Sequence, residues 1–360
     1  MNTESEQKRT PLVYALQNGS LDAIECMALA TVERMSNEYE PLIFAPPGAT
    51  LHAAERRGYE VFQFDTPFEF ARKLRPVLAM NKRLAFVSGS ITQSRACILL
   101  NRLYRREISH LHVVHGGTDE QSYEKKARLN NTGVLFVAAS PYIRSRLVAS
   151  GVRADRIRVI EDFLSESQVR SAPKREPFSK DGVRKLIVIS RLEPINRVDL
   201  LLDALDRGPA LRRLSVRVYG EGSDLEKLRT RGARRNPNVI FAGSSNTVHG
   251  PLAASDLLVH LCPEEPFGRS AIEAMAAGVP ALVPNSGGAA AVVENEVSGF
   301  HFEANKPDSL AAKLVDLSKA EASLLNRIVA GGRAALESRF SATARVEDYR
   351  LLLNELSLAN

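Results

Sequence analysis

"DLLVHLCPEEPFGRSAIEAMAAGVPALVP", residues 256–284, passes from an apolar run (DLLVHL, 256–261) through a loop rich in proline into a helical pattern, then into a second apolar run (PALVP, 280–284). Inside the helical part, Ile272, Met275, Ala276 and Val279 recur at the spacing that lines one helix face for a core. Two short strands joined through a helix make a βαβ unit, the building block of a parallel sheet. The same alternation extends in both directions. Towards the C-terminal half it includes KLIVIS (185–190), SVRVYG (215–220) and NVIFAG (238–243). Towards the N-terminus it includes LVYAL (12–16), PLIFA (41–45), AFVSG (85–89), HLHVV (110–114), VLFVAA (134–139) and RIRVI (156–160).

The two series are separated by SESQVRSAPKREPFSKDGVR (165–184), polar and without periodicity, which reads as an interdomain linker. The expected fold class is therefore α/β, with two doubly wound Rossmann-like domains facing a central cleft. Their boundaries are 1–168 and 184–338, with the linker at 169–183 and a C-terminal amphipathic helix over 339–360. A chain of 360 residues suits two domains. Ligands of such sheets bind beyond the carboxyl ends of the strands, so the residues to question are those just after each apolar run.

Composition narrows the function classes. With 44% apolar and 25% charged residues the chain reads as an ordinary globular protein. No apolar run reaches the ~18 residues of a membrane span. MNTESEQKRTP at the start lacks a signal peptide's apolar stretch, so the expected home is cytoplasmic. Cys26, Cys97 and Cys262 form neither a disulfide framework nor a metal spacing, and no Asp-x-Asp occurs. No metal site and no cofactor are expected. The net charge of +6 lies in the first half: residues 1–175 hold 25 Lys/Arg against 19 Asp/Glu. Nine bases (Arg72, Lys73, Arg75, Lys82, Arg83, Arg95, Arg102, Arg105 and Arg106) occur between Ala71 and Arg106 with no acid. A solvated face explains such a run; so does an anionic membrane surface. Only Phe86 and Tyr104 are aromatic there, so nucleic acid is not an expected partner.

The helix of the opening quotation begins unusually. Gly268 leaves room for a close approach of backbone. The N–H groups of Phe267, Gly268, Arg269 and Ser270 lie at the helix start, where donors without intrahelical partners and the helix dipole favour an anion. Glu265 precedes the helix, and Glu273 shares a face with Arg269 and Ser270. A phosphate at that end would have an acceptor-only carboxylate on each side, suited to sugar and ribose hydroxyls. Nucleotide diphosphate sugars combine these groups.

Glu265 and Glu273 form an E-x7-E motif, and EPFGRSAIEAMAAGVPALVPNSGG resembles the corresponding segment of the family-4 retaining glycosyltransferases, which have the GT-B fold. The resemblance runs over about residues 184–318 and is weaker before. It implies that Glu265 contacts the transferred sugar, that Glu273 holds the ribose, and that the amides of Phe267 to Ser270 hold the diphosphate. ISRLEPINRVDLLLDAL (189–205) is similar to the family's Arg/Lys clamp on that diphosphate: Arg191 follows a strand directly, but Asn196 stands at the lysine position with Arg197 after it. Either Arg197 supplies the second cation from a shifted register or the clamp is single. The resemblance gives His115, before Gly116 and Gly117, a bond to the donor sugar or its phosphate. It makes Gly19, in the first strand-to-helix turn, a donor contact, and Gly220 and Gly222 a loop near the base. It also implies that the last helix crosses back to the first domain.

The expected reaction is a metal-independent, retaining transfer from a UDP- or GDP-sugar to a glycan or lipid-linked acceptor. Catalysis falls to Glu265, His115 and Arg191, with the leaving phosphate taking the acceptor proton. Two alternatives are a sugar-nucleotide epimerase of the same fold and a non-enzymatic basic nucleic-acid-binding protein.

Overall fold

Runs of consecutive apolar residues, rather than alternating ones, mark strands covered on both faces. The computed structural model describes residues 9–116, 123–244 and 249–359 and arranges these runs in two parallel sheets. By its internal contacts the chain divides into two units: one runs to Ser165 and includes Ala342 onward, the other is Glu166–Ser341.

The first unit holds β1 (Thr10–Ala15), β2 (Tyr39–Ala45), β3 (Glu60–Gln63), β4 (Arg83–Ser88), β5 (Glu107–Val114), β6 (Leu135–Ala138) and β7 (Ile157–Val159), in the order β3-β2-β1-β4-β5-β6-β7. Successive residues of β1 serve opposite faces. Leu12 and Tyr14 pack with Met27, Leu29 and Val32 of the helix Ala23–Met35. Val13 and Ala15 pack with Phe70, Leu74 and Leu78 of the helix Pro67–Met80. That second helix starts on a reciprocal cap: Glu69 N–H donates to Thr66 Oγ1 (3.2 Å), and the Glu69 carboxylate accepts from Asp65 N–H (2.8 Å). The last helix, Ala342–Ala359, belongs to this unit, with Val346, Tyr349 and Leu353 buried beside Leu12 and Tyr14. Gly117 lies outside the described residues.

The second unit holds β8 (Lys185–Ile189), β9 (Ser215–Tyr219), β10 (Val239–Gly243), β11 (Leu257–Val259), β12 (Ala281–Pro284) and β13 (Phe300–Phe302), in the order β10-β9-β8-β11-β12-β13. The strand order reverses between β1 and β4 in one sheet and between β8 and β11 in the other. Such reversals are where doubly wound sheets open a crevice.

Residues 169–183, expected as a linker, are instead part of the second unit. Glu166–Ser171 is helical, and the Arg175 guanidinium lies over Phe178, 3.4 Å from the ring centre, and pairs with Asp256 at 2.9 Å. Asn326 grips the Phe178 backbone from both sides, accepting its N–H (2.8 Å) and donating to its carbonyl (2.9 Å). Polar side chains anchor this segment, which is why no apolar periodicity announced it.

Candidate active site

In the second unit the strand reversal places the loop after β8 beside the loop after β11. The β11 loop runs to Phe267, which is buried edge-on against Phe340, ring centres 5.9 Å apart. Gly268 then turns with φ +103°, and the helix Arg269–Ala277 follows. A Cβ on Gly268 would stand 2.8 Å from Ala289 Cα. The close approach expected at this glycine is thus made to the chain's own next loop.

The helix start differs from the expectation that the amides of Phe267 to Ser270 are all open. Gly268 N–H already donates to Glu265 Oε1 at 3.3 Å, so it is not an open donor. Arg269 and Ser270 are the first helical residues, and their N–H groups lack intrahelical partners by construction. Glu273 accepts from Arg269 Nε at 3.2 Å, while Arg269 Nη2 is buried without a partner. The other Glu265 oxygen, Oε2, lies 3.7 Å from His260 Nε2, and the His260 Nδ1 lies 3.4 Å from Ser270 Oγ.

After β8, the loop holding Arg191 is laced to the loop at Gly220–Asp224. Leu192 N–H donates to Glu221 O (2.8 Å), and the Glu193 carboxylate takes Ser223 Oγ–H (2.6 Å) and Ser223 N–H (3.1 Å). These bonds from Ser223 hold the Glu193 carboxyl below its usual range. Gly220 and Gly222 permit the loops to touch, since a Cβ at either would strike the carbonyl of Ser190 or of Leu192. Arg191 is exposed; its carbonyl accepts from Ser190 Oγ (3.0 Å), but its guanidinium makes no hydrogen bond or ion pair among the described residues. Arg197 differs: its φ is +53°, its Nε donates to Asp199 Oδ1 at 3.3 Å, and it bonds Asn305 Oδ1. Asn196 is buried, with Oδ1 unpartnered.

In the first unit, a cavity of about 90 Å³ opens at the carboxyl ends of β1, β4 and β5. Gln17, Asn18, Glu25, Gly89, His115 and Gly116 are among its lining residues. Larger hollows at the opposite strand ends, such as that beside Thr10, Arg83 and Glu107, lie away from the crevice this topology provides. His115 Nδ1 and Asp162 Oδ1 are 2.8 Å apart, their side chains 11% and 10% exposed. Glu25, in the first turn of its helix, is 2% exposed. Burial pushes its carboxyl above the usual range. Gly19 is not in the lining: a Cβ there would meet Pro47 O at 2.1 Å, so it packs against the neighbouring loop.

Asp162, Glu25 and His260 were missed in the sequence. Asp162 stands two residues after RIRVI, behind Glu161, and was legible as a polar residue just past a strand end. Among the described residues no group of three or more His, Cys, Asp or Glu side chains is placed to hold a metal ion.

Residues 170–335, which lie in the second unit, match the family Glycosyl transferases group 1. The chain is 23% identical over 292 residues to the N-acetyl-alpha-D-glucosaminyl L-malate synthase of Bacillus anthracis, covering 76% of each. It is 27% identical over 321 residues to the GDP-mannose-dependent alpha-(1-6)-phosphatidylinositol monomannoside mannosyltransferase of Mycobacterium tuberculosis, covering 85% of this chain and 79% of the relative. Among solved structures, the Anabaena protein HepE with UDP and glucose superimposes with a TM-score of 0.74 at 18% identity, covering 96% of this chain and 100% of HepE. The fold is GT-B.

Proposed function

We propose that this chain, which has the GT-B fold and matches the group 1 glycosyl transferases over its second unit, is a glycosyltransferase that moves a sugar from a nucleoside diphosphate carrier to a glycan or lipid-linked acceptor, with retention and without a metal ion. One observation carries the reading: at the β8/β11 reversal, an exposed and unpaired Arg191 shares a strand end with the Glu265 loop and the start of the helix Arg269–Ala277. A cation, a helix N-terminus and an acceptor-only carboxylate together match a diphosphate joined to a polyol. The UDP and glucose held by HepE, and the GDP-mannose and phosphatidylinositol mannoside named for the mycobacterial relative, support a UDP- or GDP-sugar and a lipid-linked acceptor.

In this reading the acceptor hydroxyl attacks the anomeric carbon on the face the diphosphate leaves. The C1–O bond to phosphate breaks, the new C1–O bond forms on the same side, and a departing phosphate oxygen takes the acceptor proton. Arg191 and the N–H groups of Arg269 and Ser270 stabilise charge on the leaving group, as preorganised donors do. Glu265 meets the sugar as positive charge develops on it, and Glu273 holds the ribose.

The test is incubation with a panel of UDP- and GDP-sugars and acceptors, reading free nucleoside diphosphate and the anomeric proton coupling of the product by NMR. EDTA is expected to leave the rate unchanged. Complete loss on chelation with recovery on Mn²⁺ or Mg²⁺ overturns the metal-free mechanism, and an inverted product overturns retention. An isomerised sugar nucleotide with no diphosphate released identifies an epimerase instead. The His115–Asp162 pair beside Glu25 supplies acid and base groups for that second reading.

A further inference from the structure

His260 directly follows β11 and extends its pairing by one bond, its N–H donating to Leu282 O at 2.9 Å. Val259 and Leu261 on either side are core residues, and a leucine or phenylalanine at 260 would satisfy the strand. The imidazole is only 6% exposed, and its Nε2 has no hydrogen-bond partner. An unsatisfied buried N–H costs about 1–3 kcal/mol, so the position carries a polar ring against its local interest. Its two nitrogens face groups assigned above to the two ends of one donor. Ser270 Oγ lies at the start of the diphosphate helix, and Glu265 Oε2 belongs to the carboxylate given to the sugar.

We propose that His260 is a positioning residue for Glu265: Ser270 Oγ–H donates to its Nδ1, which fixes the proton on Nε2, and Nε2–H then orients the carboxylate oxygen that Gly268 N–H does not hold. The inference rests on the reading of Glu265 as the sugar contact. At 3.7 Å the Nε2···Oε2 pair is longer than a hydrogen bond, and hydrogen bonds of catalytic groups are often long before the substrate binds. The bond closes when a donor draws Glu265 and Ser270 into place. Burial holds the imidazole pKa below its ordinary value, Glu265 pulling the other way, so the ring that performs this is neutral. A neutral ring with one nitrogen protonated is a one-way link: it carries the position of the phosphate-side hydroxyl to the sugar-side carboxylate.

Two measurements test this. In the first, His260→Phe keeps the ring's bulk and removes both nitrogens. It is expected to lower kcat by about 10- to 100-fold, with donor KM and the Kd for UDP or GDP within about twofold. His260→Gln, whose amide can still donate to a carboxylate, is expected to recover part of that loss. A fall in melting temperature with an equal loss of UDP and GDP binding, and no recovery in His260→Gln, shows a merely structural histidine and overturns the proposal. The second measurement needs no activity and no variant of His260. ¹⁵N–¹H spectra of the wild-type imidazole should show a neutral ring protonated at Nε2, with its nitrogen shifts moving in Glu265→Gln. A ring protonated at Nδ1, or one indifferent to Glu265, overturns the proposal even if the transferase reading stands. The expected tautomer in a protein without transferase activity leaves the geometry intact and removes the reading it serves.

Discussion

Glu265 and Glu273 have the same side chain and unlike surroundings, and the expected effects of removing them follow from that. Glu273 is paired with Arg269 at 3.2 Å; a ribose contact there binds ground and transition states alike, so Glu273→Gln should raise donor KM with kcat nearly unchanged. Glu265→Gln should lower kcat by about 10²-fold, because a carboxylate beside an anomeric carbon matters most as charge develops. Equal changes in KM alone for both variants show that the two carboxylates do not divide the work. A similar contrast holds between Arg191 and Arg197. Bonds to Asp199 and Asn305 tie Arg197 down, and reaching a diphosphate would break them, whereas Arg191 is unengaged. Titration calorimetry with UDP or GDP should find Arg191→Ala binding at least about tenfold more weakly and Arg197→Ala nearly as wild type. The reverse result restores the shifted register that the sequence allowed. Buried Glu25 gives a pH test. Its folded pKa is raised, so the folded state disfavours the charged form. Its cost to stability is absent below the ordinary carboxylate pKa of roughly 4, sets in as pH rises through that value, and is complete above the raised folded pKa. Glu25→Gln should therefore melt higher than wild type at neutral pH, the gap closing as pH falls towards about 4; a gap that widens in acid contradicts the sign.

At the scale of the element, what the sequence disclosed depended on burial. The central strands, such as β1 with five consecutive buried residues, were plain as apolar runs. The two strands that went unseen are both sheet edges. In β3 no residue is buried, and β13 is three residues long; an edge strand needs a neighbour on one side only, and its sequence need not be apolar throughout. The helix Arg269–Ala277 was legible from its apolar face, but its start was not. Whether Gly268 served a ligand or a neighbouring loop depends on Ala289, twenty-one residues away, and local pattern says nothing of that contact. The structure makes the role testable. Gly268→Ala forces a side chain into positive φ and against Ala289 Cα at 2.8 Å, a strain of about 1–3 kcal/mol. It should lower the melting temperature and weaken UDP or GDP binding together, since the turn sets the helix start. Weakened binding with an unchanged melting point would return Gly268 to the ligand.

At the scale of the whole molecule the open question is what the basic first unit faces. Among the described residues no helix is long and apolar enough to cross a membrane, and a lipid-linked acceptor, if that is the acceptor, must be met at a surface. Of the nine bases between Ala71 and Arg106, several are occupied within the fold. Arg106 donates to the carbonyls of Leu78 (2.9 Å) and Ala79 (2.8 Å), Arg75 to Tyr104 Oη (2.9 Å), and Arg83 pairs with Glu107 at 2.8 Å. Arg72, Arg102 and Arg105 are exposed and make no such bonds. On the same two packed helices, Pro67–Met80 and Ile91–Tyr104, Phe68 and Leu103 stand more than three-quarters exposed. Apolar side chains among unengaged cations suit an anionic lipid surface, where each well-placed charge is worth up to about 1 kcal/mol. Vesicles of phosphatidylcholine with phosphatidylserine should sediment the protein, and retention should fall as salt rises. The triple change of Arg72, Arg102 and Arg105 to serine should release most of it at low salt. Phe68→Ser with Leu103→Ser should weaken what survives at high salt, because burial in the acyl region is not screened. Arg106→Ser is the control that separates charge from fold: it removes one charge but frees two helix-end carbonyls, so its main effect belongs in the melting temperature. Sedimentation that responds to none of these changes makes the basic run an ordinary solvated face.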